Sequence, residues 1–348
     1  MSKTEKIPVS YDEFYSRQLV MKELGREGQA KLAKSKVAVV GLGGLGTVSS
    51  LYLMLAGVGH LRLIDQDTVE AHNLHRQVLY TLKDLRYPKA EISAERLKTV
   101  NPFVKVEAVT ENENPENVEK LLRGMDCVVD GLDNMRTRYL VNRACAKLKI
   151  PYVFGAAIGI EGNLSVFSPP ETPCLECVLP NLNDSNMLTC DFRGVLGATP
   201  GIIGTMQAME TIKVLTGMGS PLKGKLLICD FNDMYLTTID IFKRENCPAC
   251  QSQEAMLKAK EKLVWLCGRN TANINPEKPI SLNINKLYEA VKQSFKVRIK
   301  SSMAIVFTYK DHEITLFKGG RMLIKNIPNE ETALKVYREI DEKLRLNR

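Results

Sequence analysis

Three glycines at a strand-to-helix turn are the residues of this chain with the clearest chemistry. The run VAVVGLGGLG contains Gly41, Gly43 and Gly46, and Gly44 lies between them. A backbone without side chains can approach a phosphate closely, and the free amides at the start of the following helix favour an anion. HLRLIDQD follows after about twenty residues, and its Asp65 ends a second strand where a carboxylate can accept hydrogen bonds from ribose hydroxyls. The pattern predicts an adenine-nucleotide site.

Several charged and amide side chains follow Asp65, and they are more than a site for a hydride-carrying dinucleotide needs. Asp67 comes first, NLHRQ then supplies Asn73, Arg76 and Gln77, and YPKA supplies Lys89. An arginine fork and a compact ammonium are two ways of holding a triphosphate while charge moves during attack. Taken singly, each of the two cations could equally be a solvated surface residue. Together they favour a site for ATP.

A third buried strand carries acids at its carboxyl end. MDCVVDGLDN predicts this strand and places Asp130 and Asp133 at its end. In an open, doubly wound sheet that edge faces the ligand crevice. Asp133 is therefore a candidate ligand for Mg²⁺ held against the phosphates.

Four of the nine cysteines form two matched pairs. Cys174 and Cys177 make one CxxC pair, and Cys247 and Cys250 make the other. Two such pairs, each called a knuckle, can supply the four thiolate ligands of a tetrahedral zinc ion. Such a site leaves no coordination position open for a substrate, so the zinc would be structural. Disulfides or reduced surface thiols are the alternative. The absence of a signal peptide or a long apolar span predicts a reducing, cytoplasmic location and no membrane segment, which disfavours disulfides.

The remaining cysteines divide into two kinds. Cys127 and Cys229 fall inside apolar strand patterns and Cys145 inside a helical one, as expected of small buried hydrophobes, and Cys267 is ambiguous. Cys190 differs because it lies in the polar stretch NDSNMLTCDFRGVLG, three residues before Arg193. A loop cysteine beside a cation can act as a nucleophile, and incidental exposure is the alternative.

These motifs require an α/β fold with a doubly wound, mostly parallel sheet. We expect this Rossmann-like unit over residues 1–252, a polar linker over 253–262 and a small α+β unit over 263–348. For the last unit we expect a strand at LVWLCG, a helix at INKLYEAVKQSF, four strands and a closing helix. The run from Gly201 to Gly217 reads as a core helix.

Composition narrows the function classes further. The 348 residues are 44% hydrophobic, which is enough for one large core and a small one. The net charge of +8 is spread among interspersed acids and bases, and aromatic residues make up only 6% of the chain. A nucleic-acid-binding protein would show a basic stripe with interleaved aromatic residues, so that class is disfavoured.

Taken in order, the motifs YSRQ, GxGGLG, the strand-end acid, NLxRQ, PK, DxxDN and two CxxC pairs resemble a known family. It is the HesA/MoeB/ThiF superfamily of adenylyltransferases, which is related to the ubiquitin-activating enzymes, and the likeness covers residues 10–252. The resemblance implies ATP-dependent adenylation of a small ubiquitin-like or sulfur-carrier protein that ends in Gly-Gly. It also implies ATP, Mg²⁺ and Zn²⁺ as ligands, and a homodimer.

The resemblance implies a role for each matched residue. ATP would be held by the glycine turn together with Asp65, Asn73, Arg76, Gln77 and Lys89, and Mg²⁺ by Asp133. Arg17 of YSRQ would reach the nucleotide site of the neighbouring subunit. LTCDFRGVLG is similar to the context in which some members carry a cysteine that forms a thioester or acyl-disulfide, which points to Cys190.

Several readings stay open at this point. The product could pass to a conjugating enzyme or into sulfur transfer, with any sulfurtransferase a separate protein. Residues 263–348 lie outside the resemblance, and a docking module or a unit that only covers the core would fit their position. Adenylation alone, without a covalent cysteine step, is one alternative function. A nicotinamide-dependent oxidoreductase built on the same crossover is another.

Overall fold

Two β-sheets organise the chain. The computed structural model describes residues 8–182, 184, 193–251, 263–266, 270–276, 280–344 and 346. An eight-stranded sheet lies within residues 36–240, and a six-stranded sheet within residues 263–325. The expected α/β class with a mostly parallel main sheet is confirmed.

Five parallel strands form the first part of the main sheet. Their bounds are Lys36–Val40 (β1), His60–Ile64 (β2), Lys105–Val109 (β3), Cys127–Asp130 (β4) and Tyr152–Ile158 (β5). They run in the order β3-β2-β1-β4-β5, so that β1 lies between β2 and β4. The order reverses beside β1, and in such sheets ligands bind outside the carboxyl ends of the strands at that point.

Three antiparallel strands extend the same sheet. They are Glu161–Phe167 (β6), Lys225–Asp230 (β7) and Tyr235–Asp240 (β8), and they follow β5 in that order. Five of the six residues of the outermost strand, β8, are exposed.

Helices cover both faces of this sheet. They are Tyr11–Phe14 (α1), Ser16–Leu19 (α2), Gly25–Lys34 (α3), Gly44–Ala56 (α4), Lys89–Val100 (α5), Val118–Leu122 (α6), Met135–Leu148 (α7), Leu175–Val178 (α8), Ala198–Thr216 (α9) and Pro248–Gln251 (α10). Val37 and Val39 of β1 pack with α3, α4, α5 and α9, whereas Ala38 and Val40 pack with α6 and α7. Such alternation in a strand buried on both sides is the doubly wound arrangement that the sequence predicted.

The cysteines expected in the core are there. Cys127 lies in β4, Cys145 in α7 and Cys229 in β7, and all three are buried. Burial raises the pKa of the Cys127 thiol to about 12. These thiols therefore serve as small hydrophobic groups. Cys267 lies outside the described residues.

The second sheet is antiparallel and has helices of its own. Its elements are Leu263–Leu266 (β9), Thr271–Ile274 (β10), Ile284–Ser294 (α11), Lys296–Lys300 (β11), Ala304–Tyr309 (β12), His312–Phe317 (β13), Met322–Lys325 (β14) and Glu330–Leu344 (α12). The strand order is β11-β12-β13-β14-β10-β9. The sequence predicted every one of these elements except β10. We call the described part of residues 263–344 the C-terminal unit.

The C-terminal unit contacts the elements around the main sheet through several polar pairs. Ser302 donates its backbone N–H to Glu91 Oε1 at 2.8 Å. Arg86 Nε lies 2.7 Å from Glu313 Oε2, and Lys325 Nζ lies 2.6 Å from Glu70 Oε1. These contacts join the unit to the loops that follow β2 and to α5. Among the described residues, no helix is both long and apolar enough to cross a membrane.

Candidate nucleotide site and four-cysteine cluster

The glycine turn joins β1 to α4 and is packed against backbone on the side of β4. Gly41 has φ +85°, a conformation that favours glycine. A Cβ on Gly131 would lie 2.0 Å from Gly41 O, and one on Gly46 would lie 1.9 Å from the same oxygen. A Cβ on Gly44 would meet Pro200 of α9 at 2.9 Å. Backbone conformation and packing therefore require glycine at Gly41, Gly46 and Gly131. The neighbouring helix α9 requires it at Gly44.

The start of α4 presents free amides at this turn. The helix begins after Gly43, which has no side chain to cap it. The first four N–H groups of a helix have no partner within the helix and carry the positive end of its dipole. The turn therefore offers an anion site at the carboxyl end of β1.

Asp65 fixes the shape of the turn from the other side. It is 7% exposed, and its Oδ2 accepts from Leu42 N at 2.7 Å while its Oδ1 accepts from Asp67 N at 2.7 Å. Burial raises the pKa of this carboxyl group, and the nearby Lys89 ammonium opposes that rise. A carboxylate oxygen can accept more than one hydrogen bond, so Asp65 retains capacity for a hydroxyl group.

Lys89 is buried beside these acids. It is the first residue of α5 and 5% exposed, and its Nζ lies 3.5 Å from Asp67 Oδ2. Its backbone N–H donates to Asp67 O at 2.9 Å, which fixes the start of the helix. Tyr80 donates to Leu42 O at 3.0 Å and so supports the glycine turn from behind. The structure thus brings Asp65, Asp67 and Lys89 together.

Two buried amides close to the turn have unsatisfied polar atoms. Asn73 is 1% exposed and Gln77 is 3% exposed. Among the described residues, Asn73 Nδ2 and Gln77 Oε1 have no hydrogen-bond partner. A Cβ on Gly43 would lie 3.9 Å from Gln77 Nε2, so this side chain faces the turn. Buried polar atoms without partners are costly, and a bound polar ligand would satisfy them.

Arg76 lies on the outer side of the same turn. Its Nη1 donates to His72 O at 2.9 Å and lies 2.7 Å from His75 Nε2. A Cβ on Gly44 would lie 3.5 Å from Arg76 Cγ, which places the arginine stem next to the start of α4. The structure therefore brings Arg76 to the glycine turn.

The acids at the end of β4 have different environments. Asp130 is fully buried, and its Oδ2 accepts from Tyr152 Oη at 2.7 Å and from Arg138 Nε at 3.0 Å. Burial raises the pKa of Asp130, and the Arg138 guanidinium opposes that rise. Its role is structural. Asp133 is exposed at the same edge of the sheet, and its Oδ1 accepts from Asn134 Nδ2 at 3.3 Å.

Asp184 is a residue at this edge that sequence reasoning missed. Its two carboxylate oxygens accept from Met135 N at 2.6 Å and from Arg136 N at 3.1 Å. It therefore caps the start of α7, next to Asp133, from a position far along the chain. No local motif marks it, because the helix that it caps belongs to another segment.

The predictions for Arg17 and Cys190 stay predictions. Arg17 is exposed on α2, and the structure contains one copy of the chain. Cys190 lies outside the described residues. Arg193, which follows it, pairs with Glu161 at 3.0 Å.

The two CxxC pairs meet in one cluster. The sulfur atoms of Cys174, Cys177, Cys247 and Cys250 all lie within 4.8 Å of one another. The distances are 3.9 Å from Cys174 to Cys177, 3.5 Å from Cys174 to Cys247 and 3.6 Å from Cys177 to Cys250. Four sulfurs at about 2.3 Å from a tetrahedral zinc ion would lie about 3.8 Å apart. Donor set and spacing are consistent with zinc.

Polar contacts hold the first knuckle of this cluster on α7. Glu176, between the two cysteines, accepts from Arg143 Nη2 at 2.7 Å and from Arg143 Nε at 2.8 Å. Asn142 Oδ1 accepts from Leu175 N at 2.9 Å. The knuckle is therefore tied to the helix that begins beside Asp133.

Comparison with known proteins identifies the family. Residues 15–249 match the ThiF family. The chain belongs to the ThiF family. It is 41% identical over 242 residues to the sulfur carrier protein adenylyltransferase of Thermus thermophilus, covering 68% of this chain and 89% of that protein.

Other similar proteins are longer or more distant. The adenylyltransferase and sulfurtransferase MOCS3 of Culex quinquefasciatus is 41% identical over 70% of this chain, which matches 56% of that protein. The chain thus spans about half the length of the MOCS3 relatives. A crystal structure of E. coli MccB with AMPCPP and MccA has a TM-score of 0.62 at 23% identity, covering 69% of this chain and 75% of that one. At that identity the likeness shows the fold.

The four-cysteine cluster predicts a metal-dependent stability. Replacing Cys247 with Ser leaves three thiolates, and we expect the protein to lose its bound zinc and to unfold at a lower temperature. Elemental analysis of the purified protein and a thermal melt measure both. Cys145→Ala is the matched control, because this buried thiol lies outside the cluster and its variant keeps the metal. Full zinc content in Cys247→Ser would contradict the assignment.

Glu113, after β3, predicts a pH-dependent stability. Its Oε1 is buried and, among the described residues, has no hydrogen-bond partner. Burial, followed by the charges of Asp65 and Asp67, raises its pKa from 4.5 to about 8, while Arg321 opposes the rise. Because the folded state binds this proton more tightly than the unfolded state, its contribution is complete below pH 4.5 and is lost as the pH rises through 8.

We therefore expect Glu113→Gln to flatten the decline in melting temperature between about pH 5 and pH 9. Melts of the two proteins across that range measure the effect. Glu111→Gln is the control, because its exposed side chain shows no comparable burial. Parallel curves for wild type and Glu113→Gln would show that Glu113 is not the titrating group.

Proposed function

We propose that this chain transfers the adenylyl group of ATP to the C-terminal glycine carboxylate of a small sulfur-carrier or ubiquitin-like protein. The similar proteins support the substrate class, since one is called a sulfur carrier protein adenylyltransferase and others adenylyltransferase and sulfurtransferase. The observation that carries the proposal is the set of buried polar groups beside the glycine turn. The Lys89 ammonium and Asn73 Nδ2 are donors that suit a polyanion, and the Gln77 amide faces the same turn.

The proposed reaction converts a poor electrophile into a mixed anhydride. A carboxylate oxygen of the carrier attacks the α-phosphorus of ATP, a new O–P bond forms, and the bond to the bridging oxygen breaks. Pyrophosphate leaves with the bonding electron pair. The carboxylate is already ionised at neutral pH, so the step needs positioning and charge stabilisation more than a base.

The site residues divide these tasks. The glycine turn and the free amides of α4 hold the phosphates, Asp65 accepts from the ribose, and Asn73 and Gln77 hydrogen-bond the phosphate chain. Arg76 and Lys89 offset the developing negative charge. Mg²⁺, held by Asp133, would neutralise phosphate charge when bound.

The alternative functions are supported less well than adenylation. An oxidoreductase that binds a dinucleotide would not need two cations and an exposed acid around the phosphates. Adenylation alone and adenylation followed by transfer differ only in whether the Cys190 thiolate attacks the acyl-adenylate. The LTC context before GVLG supports a thioester there: the Cys190 thiolate attacks the carbonyl carbon of the acyl-adenylate, a C–S bond forms and AMP leaves. An acyl-disulfide would form in the same way if a separate sulfurtransferase had first converted Cys190 to a persulfide.

Three accompanying features complete the proposal. The four-cysteine cluster holds a structural zinc ion that ties residues 174–177 to residues 247–250. The enzyme acts as a homodimer in which Arg17 of each copy reaches the other nucleotide site. Residues 1–252 form the adenylating domain, and residues 263–348 after the linker form a docking domain for a conjugating enzyme or sulfurtransferase.

Asp133 provides the first functional test. In Asp133→Ala we expect no exchange of labelled pyrophosphate into ATP in the presence of carrier proteins that end in Gly-Gly, because the metal loses its protein ligand. Asp311→Ala, in an exposed turn of the C-terminal unit, is the matched control and should exchange at the wild-type rate. An unchanged rate in Asp133→Ala would remove this residue from the site.

Cys190 separates the two chemical steps. We expect Cys190→Ala to retain pyrophosphate exchange but to form no thiol-sensitive adduct with the carrier, because only the second step needs a thiolate. Gel electrophoresis with and without a reducing thiol detects the adduct. Cys145→Ala serves as the control and should form it. Loss of exchange together with the adduct would argue against a purely covalent role.

A further inference from the structure

A buried arginine of the C-terminal unit reaches the loops that follow β2 and β3. Arg321 lies between the turn at Gly319–Gly320 and β14, and it is 4% exposed. Its Nη2 donates to Gln66 O at 2.6 Å and to Thr110 O at 2.9 Å. Gln66 is in the loop after β2 and Thr110 is the residue after β3. One guanidinium therefore joins the carboxyl ends of two neighbouring strands of the main sheet.

Asn273 completes this connection. It is fully buried in β10, and its Oδ1 accepts from Arg321 Nη1 at 2.8 Å. Its Nδ2 donates to Gln66 Oε1 at 3.1 Å. Both the backbone and the side chain of Gln66 are thus held by the C-terminal unit.

The arginine is held firmly and stays charged. Its guanidinium lies over the ring of Phe317 at 3.7 Å from the ring centre. Burial lowers the pKa of Arg321 to about 10, and the charges of Asp67 and Asp65 oppose that fall. Arg321 is therefore a cation at neutral pH. It sits among acids, since Glu113 and Glu111 also act on it.

Gln66 separates the two acids of the nucleotide site. Asp65, before it, accepts from Leu42 N of the glycine turn at 2.7 Å. Asp67, after it, lies 3.5 Å from Lys89 Nζ. A shift of the Gln66 backbone would move both acids. Arg321 is therefore connected to the glycine turn by its hydrogen bond to Gln66 O, the peptide link to Asp65, and the hydrogen bond from Leu42 N to Asp65 Oδ2.

We propose that Arg321, supported by Asn273, is a positioning residue for ATP. It holds the loop 65–67 in the geometry that binds the ribose and Lys89, and its charge offsets the acids that a polyanion must approach. The C-terminal unit is thereby part of the nucleotide site, in addition to any role in docking. This inference rests on the proposed use of ATP at that site.

Binding of an unreactive nucleotide tests the inference without the chemical step. We expect Arg321→Gln to weaken binding of an ATP analogue with a methylene bridge between the α- and β-phosphates by about tenfold or more. Titration calorimetry of the full-length protein gives the Kd. Arg321→Lys keeps the charge but has one terminal nitrogen in place of two, so it cannot hold the two carbonyl groups and Asn273 Oδ1 together, and its Kd should lie between those of wild type and Arg321→Gln.

Arg86→Gln is the matched control. Arg86 pairs with Glu313 at 2.7 Å across the same contact with the C-terminal unit, but its side chain is half exposed, and within the described part of the chain that side chain makes no hydrogen bond to the loop 65–67. Its variant should bind the analogue as wild type does.

In exchange kinetics, Arg321→Gln should raise KM for ATP by a similar factor, with kcat and KM for the carrier protein changed by less than about twofold.

The outcomes separate this inference from the proposed function. A wild-type Kd in folded Arg321→Gln, whatever its melting temperature, would reduce Arg321 to a structural contact and overturn the inference, while wild-type exchange would still support adenylation. If Arg321→Gln does not fold, Arg321→Lys applies the same test, because one ammonium cannot replace the three hydrogen bonds of the guanidinium to Gln66 O, Thr110 O and Asn273 Oδ1. An unchanged Kd in Arg321→Lys would overturn the inference. No analogue binding to wild type would overturn both.

Discussion

The hydrogen bond from Leu42 N to Asp65 Oδ2 is the contact on which the rest of the nucleotide site depends. At 2.7 Å and in a buried position, it couples the glycine turn after β1 to the end of β2. On the opposite side, the turn contacts backbone at the end of β4, where a Cβ on Gly131 would lie 2.0 Å from Gly41 O. The carboxyl ends of β1, β2 and β4 are thereby fixed to one another. This rigid frame fixes the orientation of the free amides of α4.

The charges around this frame are balanced by cations that are themselves buried. Burial alone would favour the neutral form of Asp65, and Lys89 opposes that effect. Arg321 adds a second positive charge from the C-terminal unit. Dipoles and charges that are fixed before the substrate arrives need little rearrangement during the reaction, which is the main way a site of this kind stabilises a transition state.

The sequence predicted those parts of the structure whose residue patterns are complete within a short segment of the chain. The glycine turn, the apolar strands and the two CxxC pairs each show a pattern within about ten residues, and each is where the pattern places it. Asp130 shows the limit of such reasoning. It shares the end of β4 with Asp133, but its burial against Arg138 and Tyr152 makes it structural, and only tertiary packing decides between the two acids.

Other features depend on contacts between distant segments. Strand β10 has the short, polar sequence TANI, and it is ordered by pairing with β14 and by the buried Asn273. Asp184, Glu113 and Arg321 each act on elements far away in the chain. No local pattern could have assigned them, because their partners are chosen by the fold.

The four-cysteine cluster has a topological consequence. It joins positions 73 residues apart, as in the pair Cys174 and Cys247, and the segment between them contains α9, β7 and β8. With a metal ion bound, this segment is a closed ring, and the unfolded chain loses the conformational freedom of an open one. Release of the ion would free the antiparallel edge of the sheet to fray. Because α9 lies in the same ring and its Pro200 packs against Gly44, starvation for zinc would expose this edge to proteases and also loosen one side of the nucleotide turn.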